Sequence, residues 1–487
     1  MRKKSIKLNF IMNSILTISS MIFPLITFPY ISRALQPAGI GKVNFAISVI
    51  SYFTMFAQLG IPTYGIRACA QVRDDKKELS KVVQELLIIS VIMCTLSYMA
   101  LFLCVLVIPR FRQDALLFVI TGTAVLLNTI GVEWLYKGLE QYSYITIRSL
   151  IFKVIGIIAM IALVHKPSDY IIYGGITVIA SYASFILNFL YLKRYVSLHL
   201  VCNLNFKRHM KPILEFFAMS CATTIYTNLD TIMLAFMVND DAVGYYSAAV
   251  KIKGILVGVV TSLGTVLLPR ASYYVENHLK NEFLDIAKKA LSFVIIIAVP
   301  LMIYFIIFAK EGIFFLSGES FKNSILPMQI IMPTIVLIGL SNVMGIQMLI
   351  PLGNERVVLV SVVCGAIVDL IVNIALIPVL GATGASVGTL IAELIVCIVQ
   401  HYALSIIDFH VYKYLPCKQV FIGCLISSIC CVWVKYLNFG SFLTLMISAI
   451  IFFAIYFAIL TLMKERLVLE VEKQVIDKVL RRGAKHE

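Results

Sequence analysis

Apolar positions run along almost the whole chain in stretches of about twenty residues, parted by short polar or charged interruptions. At 1.5 Å rise per residue such a stretch crosses the hydrocarbon core of a bilayer. The pattern predicts about fourteen transmembrane helices, near 8–31, 40–64, 82–108, 115–136, 145–165, 169–192, 213–237, 243–268, 287–308, 324–350, 356–379, 382–404, 418–436 and 440–463. Longer polar pieces fall at 65–81, 193–212, 269–286 and from Lys464 onward. The reading is an all-α polytopic membrane protein with no space left for a separate soluble catalytic domain.

Composition agrees: 60% of residues are apolar and 14% charged, against roughly a quarter charged in soluble domains. The net charge of +15 raises nucleic acid as a partner, so the placement of the charge decides. Most of the basic residues fall on one side of the predicted topology, in clusters such as Arg2, Lys3, Lys4 and Lys7, or Arg67, Arg73, Lys76, Lys77 and Lys81. That is the bias of cytoplasmic loops, and it places both termini in the cytoplasm and excludes a nucleic-acid footprint. The basic start followed by an apolar run looks like a secretion signal, but the run is too long and lacks a small-residue cleavage site. The eleven cysteines show no paired or metal-ligand spacing, so neither disulfides nor a metal site is expected.

A repeat runs through this pattern. Pro37-Ala38-Gly39-Ile40-Gly41 leads into the second stretch and Asp240-Asp241-Ala242-Val243-Gly244 into the eighth, 203 residues later. The two stretches leave through Leu59-Gly60 and Leu263-Gly264 into charged segments with helical periodicity, Leu79, Val83 and Leu86 in one and Leu279, Phe283, Ile286 and Ala290 in the other. Six spans, an even number, separate the copies, which predicts two six-helix lobes in parallel repeat. The expected divisions are an N-terminal lobe over 1–204, a C-terminal lobe over 205–410, two trailing helices over 411–463 and a basic amphipathic cytoplasmic tail over 464–487. In the tail, Val468, Val471, Val475 and Val479 form an apolar stripe beside Lys473, Lys478, Arg481 and Arg482, suited to an anionic leaflet.

The segment Pro29-Tyr30-Ile31-Ser32-Arg33-Ala34-Leu35-Gln36-Pro37-Ala38-Gly39-Ile40-Gly41 resembles the amino-terminal signature of bacterial polysaccharide flippases. These belong to the superfamily of multidrug, oligosaccharidyl-lipid and polysaccharide exporters. Asn228-Leu229-Asp230-Thr231-Ile232-Met233-Leu234 and Gly381-Ala382-Thr383-Gly384-Ala385-Ser386 add weaker matches. The resemblance implies a plasma (inner) membrane protein that moves an undecaprenyl-diphosphate-linked oligosaccharide between leaflets for O-antigen or capsule. It implies no cofactor, membrane lipids as surroundings and polysaccharide polymerase machinery as a further partner. Coupling to H+ or Na+ is implied for some relatives. No G-x-x-x-x-G-K-[ST] phosphate loop is present, in keeping with transport without ATP hydrolysis.

Ionisable groups at bilayer depth are the candidate site, because each costs at least ~2.5–3.5 kcal/mol to insert and should face protein or water. Asp230 and Lys251 lie level, near the outer ends of neighbouring spans, and are expected either to pair or to leave Lys251 for a diphosphate. Lys253 is nearer mid-membrane and is the favoured cation of a central cavity. Two residues apart, the lysines do not share a face. Arg33, Lys153 and Arg148 extend the cationic path, with Arg148 also readable as an interfacial anchor. Asp369 and Glu393, at equal depth in adjacent spans with Asn373 beside them, suggest a site that carries H+ or holds Na+, or two separately satisfied carboxylates. Glu133, Glu140 and Glu215 are read as interfacial. Pro24, Pro29, Pro327 and Pro333 mark expected bends. The rival readings are a multidrug or cation-coupled exporter, a flippase for a lipid-linked peptidoglycan precursor and, from another class, a membrane-embedded glycan polymerase or ligase.

Overall fold

The computed structural model describes residues 6–197, 199, 203–262, 264–406, 415–437, 439–470 and 472–473, and every regular element among them is a helix. They divide into two compact units, Met1–Ser247 and Ala248–Glu487. Eleven helices are long and apolar enough to cross a membrane, or twelve when Glu319–Ile331 and Thr334–Leu349, bent by 45°, are taken as one span. The difference from the expected fourteen has two causes. The first two expected spans share one 53-residue helix, which if straight would be about 80 Å long, far beyond the ~30 Å core. Lys207–Met237, the expected seventh, carries too many polar residues to register as an apolar helix.

The first unit contains α1 (Ile6–Gln58), α2 (Ile61–Gln71), α3 (Lys76–Val107), α4 (Pro109–Gln113), α5 (Ala115–Ile130), α6 (Glu133–Gly138), α7 (Tyr142–Leu163), α8 (Tyr170–Val178), α9 (Phe185–Tyr191) and α10 (Lys207–Met237), and the start of α11 (Asp240–Thr261). Helix α1 is its axis, with α3, α5, α7 and α10 packed around it. Pro24 and Pro29 lie inside α1 without breaking it; the break falls at Gln36, with φ 59° and ψ 174°, just before Pro37. That conformation is sparsely populated for a side-chain-bearing residue. Helix α3 starts where Asp75 accepts hydrogen bonds from the Lys77 and Glu78 amides at 2.8 and 3.2 Å, satisfying two otherwise orphaned donors.

The two repeat-related turns meet each other reciprocally inside this unit. A Cβ on Gly41 would lie 2.7 Å from the Asp240 carbonyl carbon, and one on Gly244 equally close to the Pro37 carbonyl carbon. Only glycine permits backbones this near. Charge pairs flank the crossing: Lys42 reaches Asp114 at 3.1 Å, and Arg110 pairs with Asp240. Phe45, Phe111, Phe118 and Phe236 pack edge-on or tilted beside it, with centroids 4.6–5.9 Å apart.

The second unit continues with α12 (Gly264–Glu276), α13 (Lys280–Ile307), α14 (Ala309–Ser317), α15 (Ile325–Ile331), α16 (Thr334–Asn342), α17 (Glu355–Leu380), α18 (Ala382–Ile406), α19 (Cys417–Val432) and α20 (Gly440–Leu462). Its most intimate pair is α17 with α18, where small residues let the backbones approach. A Cβ on Gly384, for example, would lie 3.0 Å from the Ile377 amide nitrogen. Tyr456 spans the α13–α20 contact, its hydroxyl donating to the Ile296 carbonyl at 2.9 Å. The bend expected near Pro327 and Pro333 falls between α15 and α16. The beginning of the tail docks on this unit: Leu467 and Val468 pack against a core containing Ile295, Val420 and Tyr456, and Lys289 pairs with Glu470 at 2.9 Å. Val471, Val475, Val479, Lys478, Arg481 and Arg482 lie outside the described residues, as do Arg2, Lys3 and Lys4.

Candidate functional site

In the first unit, one candidate cation, Arg148, is held against a carboxylate. Arg148 of α7 is 3% exposed; it donates to the Ser184 carbonyl at 2.9 Å and to Glu133 at 3.2 Å, and its guanidinium lies 5.0 Å from the Phe185 ring centre. Glu133 also pairs with Lys137 at 2.8 Å. Arg148 is therefore enclosed rather than extended to an interface, and Glu133, read as interfacial, is its counter-charge. Glu140 pairs with Arg73 at 2.9 Å. Arg33 is exposed one turn before the break in α1 and donates to the Pro29 carbonyl. Lys153 of α7 is held differently, 2.9 Å from the Ser19 hydroxyl and 2.8 Å from the Ser20 hydroxyl of α1.

Asp230 of α10 is buried and accepts the Tyr246 hydroxyl from the start of α11. Lys251 and Lys253 follow on α11, both half-buried, in the second unit. On the α17–α18 seam, Ser361, Gly365, Asp369, Asn373 and Ile377 recur every four residues and all are buried. Gly388 of α18 receives the two polar members: a Cβ there would lie 2.9 Å from Asp369 Oδ1 and closer still to Asn373 Oδ1. Glu393 lies buried five residues farther along the same helix. At the other end of the seam, Gln400 donates to Ser361 at 3.0 Å. The structure thus brings Asp369 and Asn373 together against a glycine, with Glu393 on the partner helix.

One buried cluster was missed by the sequence reading. Glu85 of α3 is completely buried and accepts from the Asn205 amide at 2.6 Å, from Arg208 Nη2 at 2.6 Å and from His209 Nε2 at 2.7 Å. Tyr64 Oη lies 2.7 Å from His209 Nδ1, and the neighbouring Gln84 donates to the Ser197 and His199 carbonyls. This network straps the segment before α10 to α2 and α3. A signal existed: Glu85 shares a helical face with Leu79, Val82, Leu86 and Ile89, so a lone carboxylate there demands a partner.

Long apolar helices packed through glycine seams, with charges enclosed among them, define a multi-pass membrane protein. The chain is similar over 402 residues, at 24% identity, to the "Putative O-antigen transporter" of Escherichia coli (strain K12), covering 81% of this chain and 95% of that protein. Among solved structures it is similar to "Lipid II flippase MurJ, inward closed conformation", with a TM-score of 0.72 at 17% identity over 94% of this chain and all of that one. An inward-facing multidrug resistance MATE family transporter of the MOP superfamily gives a TM-score of 0.58 at 14% identity, covering 83% and 99%. At these identities the two structures show the fold. The sequence model described as "Polysaccharide biosynthesis protein" matches residues 6–275, more than half the chain, and the chain belongs to that family. It is a multi-pass protein of the inner membrane.

Proposed function

We propose that this protein is a flippase carrying an undecaprenyl-diphosphate-linked oligosaccharide from the inner to the outer leaflet for surface polysaccharide synthesis. The observation that carries the reading is the match to an O-antigen transporter along nearly that protein's whole length. A fold shared with a lipid-linked-precursor flippase supports it. Two six-helix lobes, 1–204 and 205–410, a duplication marked by the matching turns at Gly41 and Gly244, rock between inward-open and outward-open states, with the helices of 411–463 trailing and fourteen spans in all. The reciprocal fit of those two turns supports the duplication. Both termini are cytoplasmic. Lys253, Lys251, Arg33 and Lys153 supply positive potential for the diphosphate while the lipid tail stays in the bilayer, and Arg148, enclosed against Glu133, lies apart from that path; no covalent step and no cofactor are required.

Asp230 and the Asp369–Asn373–Glu393 group are the seats of coupling to H+ or Na+. The burial of these carboxylates supports that role. Polysaccharide polymerase machinery takes the product. The test is reconstitution of the purified protein into vesicles holding a fluorescent lipid-linked oligosaccharide in one leaflet. Facilitated exchange between leaflets supports the reading; no exchange of any lipid-linked sugar overturns it. The buried acids favour a cation-coupled exporter as the second reading, which predicts drug-cation efflux from the same vesicles.

A further inference from the structure

Two helices that match in sequence, α3 and α13, are clamped in opposite ways. Gly60 and Gly264 mark matching exits 204 residues apart, and the same offset sets Lys76-x-Glu78-Leu79 at the start of α3 on Lys280-x-Glu282-Phe283 at the start of α13. Burial follows this register: Leu79 and Phe283, Val83 and Ala287, and Leu86 and Ala290 are all buried. Glu85 of α3 then corresponds to Lys289 of α13. Each meets an opposite charge from a distant segment, Glu85 from Arg208 at the start of α10 and Lys289 from Glu470 of the tail. Glu85 is completely buried, whereas Lys289 and Glu470 are 51% and 37% exposed, an ion pair that water weakens. The first clamp is fixed and the second opens easily.

The tail reaches α13 by a defined path. Helix α20 ends in a reversal at Lys464, φ 54°, where the Lys464 and Glu465 amides return to the Thr461 and Leu460 carbonyls at 3.0 and 2.9 Å. Glu465 is buried and accepts the Val468 amide at 2.8 Å, which starts the next turn. Leu467 and Val468 pack against the core that contains Ile295 of α13 and Val420 of α19, and Thr461 donates to Glu472. Farther along α13, Pro300 has no amide hydrogen for the Ile296 carbonyl, and Tyr456 of α20 donates to that carbonyl instead. A proline inside a helix is a place to bend. Residues 280–299 thus make a lever about 30 Å long. Tyr456 holds it beside its pivot, and the tail holds it at Lys289, about 16 Å from Pro300.

We propose that residues 465–473 form a releasable strap that brakes the second unit. Docked, the strap fixes the lever of α13 against α20; undocked, it lets the lever swing about Pro300. The restraint of α13 stands without any substrate, and its effect on transport rests on the flippase reading.

The test is hydrogen–deuterium exchange of the purified full-length protein in lipid nanodiscs, with leaflet exchange of lipid-linked oligosaccharide in vesicles as the second measurement. Lys289→Glu should speed amide exchange in 465–473 and in 280–299 a few-fold, the scale of one exposed ion pair, and leave α13 beyond Pro300 unchanged. The charge-swapped Lys289→Glu/Glu470→Lys protein should return to wild-type exchange. Leu467→Asp/Val468→Asp removes the apolar contact, and should raise exchange in both segments about tenfold or more and move lipid-linked sugar several-fold faster than the wild type. Should the aspartate variant fail to fold, Lys289→Glu and the charge swap carry the test. Wild-type exchange in 280–299 while 465–473 exchanges freely overturns the strap, as does a charge swap that restores nothing. A wild type that flips lipid-linked sugar as fast as the undocked variant overturns the brake. A wild type that flips nothing, with 280–299 still following the strap, sinks the flippase reading alone.

Discussion

Replacing Gly41 by alanine sets a methyl group 2.7 Å from the Asp240 carbonyl carbon and closer still to its oxygen, where an ordinary Cβ contact begins near 3.4 Å. The obstructing atoms are backbone, so no side chain can rotate aside; the second half of α1 and the start of α11 must part by more than 1 Å. Overpacking of this kind costs typically ~1–3 kcal/mol. Relief of glycine's helix penalty offsets at most about 1 kcal/mol of that. Gly41→Ala should therefore lower the Tm of the purified protein by several degrees in a fixed detergent. Gly244→Ala should act similarly through Pro37. One separation relieves both clashes, so the double variant should cost less than the sum of the two. Gly254 of α11 is the control: nothing lies within 4 Å of its Cβ position, and Gly254→Ala should be neutral or slightly stabilising. A Gly41→Ala protein as stable as the wild type, or an additive double variant, would refute the crossing as a tight backbone contact.

Other substitutions probe the remaining polar groups. Glu85→Gln removes the charge that gathers Arg208, His209 and the Asn205 amide, and should destabilise by about 2–5 kcal/mol in chemical unfolding; a loss below ~1 kcal/mol would contradict the buried strap. Arg148→Gln and Glu133→Gln should show a coupling energy of about 1–3 kcal/mol in a double-mutant cycle, and additive losses would mean that the pair is not a unit. Gly388→Ala forces Asp369 and Asn373 away from α18. It should abolish any dependence of transport on a Na+ or H+ gradient, and a variant with full gradient dependence would remove this seam from coupling.

Much of the fold is legible in local pattern because each span must be apolar over its own length. The limits are equally physical. One residue, Gln36, divides α1, and no apolar window senses a single backbone reversal. Prolines at 24 and 29 advertise breaks that the surrounding helix absorbs. The repeat motif was visible as Gly41 and Gly244, yet nothing in a one-dimensional spacing says that the two turns touch. The candidate charges were found by their cost in a bilayer, which is a local property. Their partners were not, because Ser19 lies 134 residues from Lys153 and Glu85 lies 123 from Arg208. Arg148 illustrates the consequence: its sequence position reads as a cavity cation or an anchor, and Glu133 with the Phe185 ring encloses it.

The most direct measurement is leaflet exchange of a fluorescent undecaprenyl-diphosphate oligosaccharide in vesicles containing only the purified chain. The account predicts exchange well above protein-free vesicles, weakened in Lys253→Gln and Lys153→Gln. Exchange at the protein-free rate, with both variants indistinguishable from the wild type, would contradict it.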